Sequence, residues 1–197
     1  MNYPVTLRFK LIALTPQIYV TDAGGRTICY VKQKLFRFRE KVEVFTDDTM
    51  RQLMATIEAD RIIDWSARYT FKSPDGRILG AIGRRGMKSL WKAHYDVFAP
   101  GAQSPTFSIQ EDNAFTKFLD GLVSGIPVVG MFAGYMLHPS YTASRAAGDA
   151  PVMRLTKQPA FWEGLFKLEP AGAADEGEQL ALLLGFLMMN LLERARG

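Results

Sequence analysis

The chain of 197 residues has little of what enzyme and metal sites require. One cysteine, Cys29, excludes an intrachain disulfide and fits a reducing compartment. The two histidines, His94 and His138, have no partners at the spacing of a metal site. Neither a Gly-x-Ser-x-Gly elbow nor a phosphate loop ending in Gly-Lys-Ser/Thr occurs. We therefore predict no catalytic residues, no metal and no cofactor, and we expect a protein that is not an enzyme.

Signals for export and for division into domains are also scarce. Met1–Lys10 lacks the apolar segment of a secretory signal peptide, which favours the cytoplasm. No Ser/Pro/Gly-rich linker interrupts the chain. We expect one domain over residues 1–197, with barrel strands within 3–170, a helix–loop insertion at 112–138 and a central helix at 175–194.

The sequence is instead rich in short strand patterns. Val5, Leu7 and Phe9 alternate with polar residues, which is the period of a half-buried strand. Similar segments recur about every ten residues, separated by turn sequences such as Ser73–Gly76. We predict about twelve strands: Val5–Leu11, Gln17–Val20, Thr27–Val31, Val42–Phe45, Leu53–Ile57, Arg68–Phe71, Ile78–Ile82, Trp91–Phe98, Thr106–Ile109, a segment near Tyr141, Val152–Thr156 and Phe161–Leu168.

The C-terminal segment predicts a buried helix. Leu180–Leu192 is apolar on every side, broken only by Gly185 and Asn190, and acidic residues precede it while basic residues follow it. Its 13 residues are fewer than the ~20 that span a bilayer. A barrel of about twelve strands is too wide for its own side chains to fill. The predicted fold is therefore mainly β with α: a closed antiparallel barrel around this helix.

A second apolar stretch, Phe118–Leu137, contains only one charged residue, Asp120. Its length allows a membrane span, but four glycines and Pro127 interrupt it. We favour an inserted helix–loop element that covers one barrel mouth, with a membrane-dipping element as the alternative.

Basic residues cluster in the first part of the chain. Residues 1–110 contain 17 Lys or Arg and 10 Asp or Glu, whereas residues 111–197 contain 7 and 10. Two segments, Arg26–Lys41 and Arg77–Lys92, hold most of this excess, and Phe36, Phe38 and Trp91 interleave with the charges. A shift of 53 residues superposes parts of these segments and of the hairpin turns before them, for example Asp22 on Asp75 and Lys32 on Arg85. We interpret them as two equivalent units of the barrel.

These elements, in this order, resemble the tubby C-terminal-like superfamily, which includes phospholipid scramblases and LURP-one-related proteins. The resemblance covers nearly the whole chain and is carried by Asp22-x-x-Gly25, Tyr30–Lys34, Ser73–Gly76, Arg84–Lys88 and the terminal apolar helix. It implies a twelve-stranded barrel around a hydrophobic C-terminal helix, and an association with membrane lipid. The cysteine cluster of scramblases is absent, and Asp175, Glu176 and Glu178 lack the spacing of a calcium loop.

Three functions remain open from the sequence. The first is a lipid-associated module that binds anionic phospholipid headgroups at the cytoplasmic membrane surface. Its candidate headgroup ligands are Lys32, Lys34, Arg37, Arg39, Arg84, Arg85, Lys88 and Lys92. The second is a soluble scaffold that binds a protein partner and whose charges only solvate the barrel, and the third is a phospholipid scramblase. Nucleic acid is not an expected partner, since no recognition motif is present.

Overall fold

The structure is a computed structural model that describes residues 1–10, 17–32, 41–60, 67–85, 94–112, 139–160 and 163–194. Within them the chain forms strands followed by a C-terminal helix, α1 (Glu176–Arg194). The strands are β1 (Val5–Lys10), β2 (Gln17–Thr21), β3 (Thr27–Lys32), β4 (Lys41–Phe45), β5 (Leu53–Ala59), β6 (Arg68–Lys72), β7 (Ile78–Arg84), β8 (His94–Phe98), β9 (Phe107–Glu111), β10 (Ser140–Arg145), β11 (Pro151–Gln158) and β12 (Glu163–Pro170). The twelve predicted strands are confirmed within the described residues, whereas Leu11, residues 91–93 and residues 161–162 of the predicted ranges lie outside them.

The strands pair in chain order, and β12 pairs with β1 to close the barrel. Every neighbouring pair is antiparallel, so all odd-numbered strands run in one direction and all even-numbered strands in the other. β12 leads into α1 at the end of the barrel where the odd strands begin. We call this end the N mouth, because α1 starts there, and the opposite end the C mouth. Closure leaves no unpaired strand edge.

Helix α1 fills the barrel. Eleven consecutive residues, Ala181 to Leu191, are buried, so every side of the helix is covered. At about 1.5–3 kcal/mol for each fully buried Leu, Phe or Met, this helix is a major source of the core's stability. The polar Asn190 is accommodated because its side-chain amide donates to the carbonyl of Phe186 at 2.8 Å. The predicted central helix is confirmed.

The helix lies closest to β7 and β8, where small residues allow it. A Cβ atom on Gly80 would lie 2.9 Å from the carbonyl oxygen of Phe98 and 3.3 Å from the Cβ of Ala181. Gly80 also has a φ of +143°, which other residues rarely adopt. On the helix, Gly185 faces Val97 and Ile82 in the same region. The helix therefore sits off-centre, against this wall.

The N mouth holds the start of α1 with specific polar contacts. The Glu178 N–H donates to the Asp175 carboxylate at 2.8 Å, and the Asp175 N–H donates to the Glu178 carboxylate at 3.1 Å, which is a capping box. Arg145, at the end of β10, donates to both Glu178 oxygens at 2.6 and 3.0 Å. The hydroxyl of Tyr3 donates to Gln179 at 3.1 Å. These contacts fix the first turn of the helix to the barrel wall.

The internal repeat is present, but a single offset does not describe it. In the β2–β3 turn the Gly25 N–H donates to the Asp22 carbonyl, and in the β6–β7 turn the Gly76 N–H donates to the Ser73 carbonyl, each at 2.9 Å. Asp22 thus corresponds to Ser73, 51 residues later, and not to Asp75. β4 and β8 do correspond at the predicted offset of 53. Superposing Lys32 on Arg85 was therefore wrong, because the hairpins and the following strands differ in offset.

The predictions for the apolar stretch Phe118–Leu137 and for the division into domains are not tested by the structure. Phe118–Leu137 lies outside the described residues, and the one-domain division remains a prediction. Among the helices that the described ranges contain, none has both the length and the hydropathy to cross a membrane.

Candidate functional site

The strands on either side of residues 33–40 and 86–93, the C-terminal parts of the two predicted basic segments, meet at the C mouth. β3 and β7 are both odd-numbered strands, so Lys32 and Arg84 end their strands at the same mouth although 52 residues separate them. β4 and β8 begin there, so the segments 33–40 and 86–93 have both ends fixed at this mouth. Together these segments contain five Lys or Arg and one Glu. The described residues that flank both segments therefore lie at one end of the molecule.

Lys32 is exposed on the outer face of the barrel. Its strand alternates, with Cys29 and Val31 in the core and Lys32 on the opposite side. Lys32 in β3 pairs with Gln17 in β2, and Gln17 pairs on its other side with Lys10 in β1. Lys10 is also exposed. Lys10, Gln17 and Lys32 therefore form one outward row at the edge of the C mouth, which we call the rim row.

Two aromatic side chains pack next to the rim row on the outer face of the barrel. The ammonium of Lys10 lies 4.7 Å from the centre of the Tyr19 ring, within the range of a cation–π contact. Tyr19 packs against Tyr30 with ring centres 4.8 Å apart. Burial raises the pKa of the Tyr30 hydroxyl, and Tyr19 adds to that effect. The ammonium of the rim-row residue Lys10 therefore packs on a tilted pair of aromatic rings.

Arg85 is at the C mouth but is engaged with its neighbours. Its guanidinium forms an ion pair with Asp96 at 3.4 Å and lies 3.4 Å from Nε2 of His94. Burial, and then the charge of Arg85, lower the pKa of His94. A headgroup phosphate would have to compete with the Asp96 carboxylate for Arg85.

Arg84, another predicted headgroup ligand, is half-buried and lies on the inner face of β7 at the C mouth. It follows Ile82, which packs near Gly185 of α1, by two positions and so shares the inner face of β7. Its cross-strand partner is the buried Tyr95. The alternation of a strand puts consecutive residues on opposite faces, so Arg84 and Arg85 cannot both be outward ligands.

The inner face of the C mouth carries a polar cluster around the end of α1. The Tyr95 hydroxyl donates to the Glu193 carboxylate at 2.5 Å. Burial raises the pKa of Tyr141, and the nearby carboxylates of Glu111 and Glu193 raise it further. The guanidinium of Arg194 lies 5.1 Å from the ring centre of Phe9. The contacts of Glu193 and Arg194 link the last turn of the helix to β8 and β1.

The remaining sequence candidates lie outside the described residues. These are Lys34, Arg37, Arg39, Lys88 and Lys92, together with the interleaved aromatics Phe36, Phe38 and Trp91. Across the described ranges, no group of three His, Cys, Asp or Glu side chains is arranged to hold a metal ion. Cys29 is fully buried, which raises the pKa of its thiol to about 12, so it behaves as a small apolar side chain.

Sequence reasoning missed Lys10 as part of the basic site. The alternation in β1 already placed Lys10 on the outer face with Thr6 and Arg8. Its proximity to Lys32 follows only from the register in which Lys10 pairs with Gln17 and Gln17 pairs with Lys32. A register of strands that are distant in sequence cannot be read from alternation alone.

Comparisons with known proteins agree with the fold. The family model described as LURP-one-related matches residues 11–169. A crystal structure of an Arabidopsis thaliana protein aligns with the whole chain and with 94% of its own length, with a TM-score of 0.53 and 13% sequence identity. That identity is low, so the structure supports the fold alone. No curated protein matches. With four-fifths of its length matched by the family model, and with the barrel and central helix in place, the chain belongs to the LURP-one-related family.

Proposed function

We propose that this protein is a non-enzymatic module that binds anionic phospholipid headgroups at the cytoplasmic membrane surface through its C mouth. The observation that supports the proposal is that the strands flanking the basic residues 33–40 and 86–93 all reach that mouth. Their ends are fixed there by the direction of β3, β4, β7 and β8. Five cations and one anion in those segments, added to Lys10 and Lys32 on the rim, suit a negatively charged surface.

The opposite mouth supports this orientation. The connections at the N mouth, residues 22–26, 46–52, 73–77, 99–106, 146–150 and 171–175, contain six Asp and three Arg. An anionic membrane repels that end and attracts the other, and the attraction is about 1 kcal/mol for each Lys or Arg near the surface. The connections between strands at the C mouth, residues 11–16, 33–40, 60–67, 85–93, 112–139 and 159–162, contain eight Lys or Arg and five Asp or Glu. The opposite sign of the charge at the two mouths therefore favours docking with the barrel axis directed toward the membrane.

The proposal is tested by co-sedimentation with vesicles of neutral lipid and with vesicles that also contain anionic lipid. Binding is expected only with anionic lipid, and it should weaken as salt shortens the Debye length. The double variant Arg37→Gln/Arg39→Gln should bind several-fold less. Arg51→Gln/Arg77→Gln removes the same charge from the N mouth and should bind like the wild type.

The competing functions give different results in the same experiments. Equal binding to neutral and anionic vesicles, or equal losses for the two double variants, contradicts headgroup binding at the C mouth. No binding to any vesicle, together with a specific protein captured by the purified chain, supports the scaffold. Lipid flip above that of empty vesicles, after reconstitution with labelled lipid, supports the scramblase.

A further inference from the structure

We infer that the rim row makes the primary contact with the headgroup phosphate among the described residues of the C mouth. The row consists of Lys10, Gln17 and Lys32, and it contributes more to phosphate binding than the cations on the β7–β8 side. The inference rests on the proposed function and identifies which part of the mouth performs it. It assigns a binding role to Lys10 and Gln17, and it removes Arg84 from the candidate ligands.

The spacing of the rim row suits one phosphate group. Neighbouring strands lie about 4.8 Å apart, so the Cα atoms of Lys10 and Lys32 are separated by about 10 Å. Both side chains are long enough to bring their ammonium groups to one phosphate between them. The side-chain amide of Gln17 starts from the middle of the row and offers a further donor.

Both lysines are available for a ligand. Within the part of the chain that the structure describes, neither forms an ion pair. The nearest cross-strand acid, Glu163, is bound by Arg8 at 3.2 Å. Lys10 is also held over the Tyr19 ring before any ligand binds. Its side chain therefore loses less conformational entropy when it binds a phosphate.

The other cations of this mouth are less available. Arg85 pairs with Asp96 at 3.4 Å, and Lys41 pairs with Glu58 at 3.4 Å. Arg84 faces the inside of the barrel beside Tyr95. A phosphate that recruits Arg85 or Lys41 must first displace a carboxylate, so most of the attraction gained is offset by the ion pair lost.

The test compares two double variants with equal charge change at the same mouth. Lys10→Gln/Lys32→Gln removes the free lysines, whereas Lys41→Gln/Arg85→Gln removes ion-paired cations. Dissociation constants are measured with vesicles containing anionic lipid in 0.1 M salt. At about 1 kcal/mol for each free cation, the rim-row variant should bind about 30-fold more weakly, and the ion-paired variant less than about threefold. All four side chains lie on the outer face, and thermal melts verify folding.

Tyr19 provides a second readout as a positioning residue. Tyr19→Leu removes the ring beneath Lys10 and should weaken vesicle binding several-fold, whereas Tyr19→Phe keeps the ring and should restore wild-type binding. A loss shared by both variants would mean that the hydroxyl, and not the cation–π contact, is responsible.

The outcomes separate this inference from the proposed function. Suppose that the wild type binds anionic vesicles and that Lys10→Gln/Lys32→Gln and Lys41→Gln/Arg85→Gln lose equal affinity. The rim row is then not the primary contact, while headgroup binding stands. If the wild type binds no vesicles, both fall. Saturable binding of inorganic phosphate at matched ionic strength, lost in Lys10→Gln/Lys32→Gln, would overturn the membrane as the source of the phosphate.

Discussion

The two mouths of the barrel differ in how their polar side chains are used. At the N mouth, Arg145 binds the Glu178 carboxylate, and the carboxylates of Asp175 and Glu178 accept from each other's backbone N–H groups at the helix start. At the outer edge of the C mouth, Lys10 and Lys32 are exposed, and no ion pair involves them among the described residues. One mouth fixes the helix in the barrel, and the other presents charge to the surroundings.

On the proposed function, this difference separates the residues that stabilise the fold from those that bind the membrane. Substitutions at the N mouth should change the free energy of unfolding and leave membrane binding intact. Substitutions in the rim row should do the reverse. The inner face of the C mouth lies between these cases, because Tyr95 and Glu193 hold the end of the helix close to the rim.

The largest expected loss of folding stability comes from disrupting α1, which contacts the barrel at both mouths. Leu187→Asp buries a charge in a core that is apolar on all sides and costs several kcal/mol, a large part of the ~5–15 kcal/mol stability of a typical domain. Deletion of residues 176–197 should be worse, since the lumen would be empty. Both proteins should lack a cooperative thermal melt.

Leu187→Met keeps the side-chain volume and serves as the control for the helix variants, with an expected loss below about 1.5 kcal/mol. A truncated barrel that melts cooperatively, as the full chain does, would show that the helix is not required to fill the lumen.

The next effect breaks the N mouth alone. Arg145→Met removes the bidentate contact with Glu178 and should lower the free energy of unfolding by about 1–2 kcal/mol, because the pair is partly exposed. The Arg145 contact lowers the pKa of Glu178, so its contribution is present above pH 4.5 and is lost as the pH falls through the lower, folded-state value. Urea melts at pH 7 and pH 3 should show a wild-type advantage at pH 7 that shrinks at pH 3.

A smaller effect tests the inner face of the C mouth. Tyr95→Phe removes the hydroxyl that donates to Glu193 and should cost about 1 kcal/mol in urea unfolding at neutral pH, without changing the vesicle affinity of the rim row. Tyr141→Phe is the matched control, because its hydroxyl is in the same cluster. A loss of vesicle binding in Tyr95→Phe alone would show that the helix end and the rim are coupled.

The smallest effect concerns His94 beside Arg85. The pKa of His94 is lowered in the folded state. At a pH between the folded-state pKa and the usual value of 6.5, His94 is therefore protonated more often in the unfolded chain than in the folded protein. The stability of the wild type should therefore decline slightly as the pH falls through 6.5, by less than about 0.5 kcal/mol for this half-exposed group. Thermal melts between pH 7.5 and 5.5 should show this slope, and His94→Gln should remove it.

The strands and the helix could be predicted because their signals are local. Val5, Leu7 and Phe9 alternate with polar residues because a strand has two faces, and all three are buried. Leu180–Leu192 is apolar on every side because α1 is surrounded by the barrel wall, and it lies inside Glu176–Arg194. Twelve short strands and a helix of this kind leave few compact arrangements other than a filled barrel.

The sequence by itself determined the strand positions, the central helix and the two basic segments, because each depends on residues that are close along the chain. Only the tertiary structure decided which basic side chains share a surface. Pairing of β1 with β2 and of β2 with β3 brings Lys10 next to Lys32, while the pleat of β7 turns Arg84 inward and leaves Arg85 beside Asp96. Register and closure arise from the packing of the whole barrel, so a charge pattern alone cannot distinguish an available lysine from an engaged arginine.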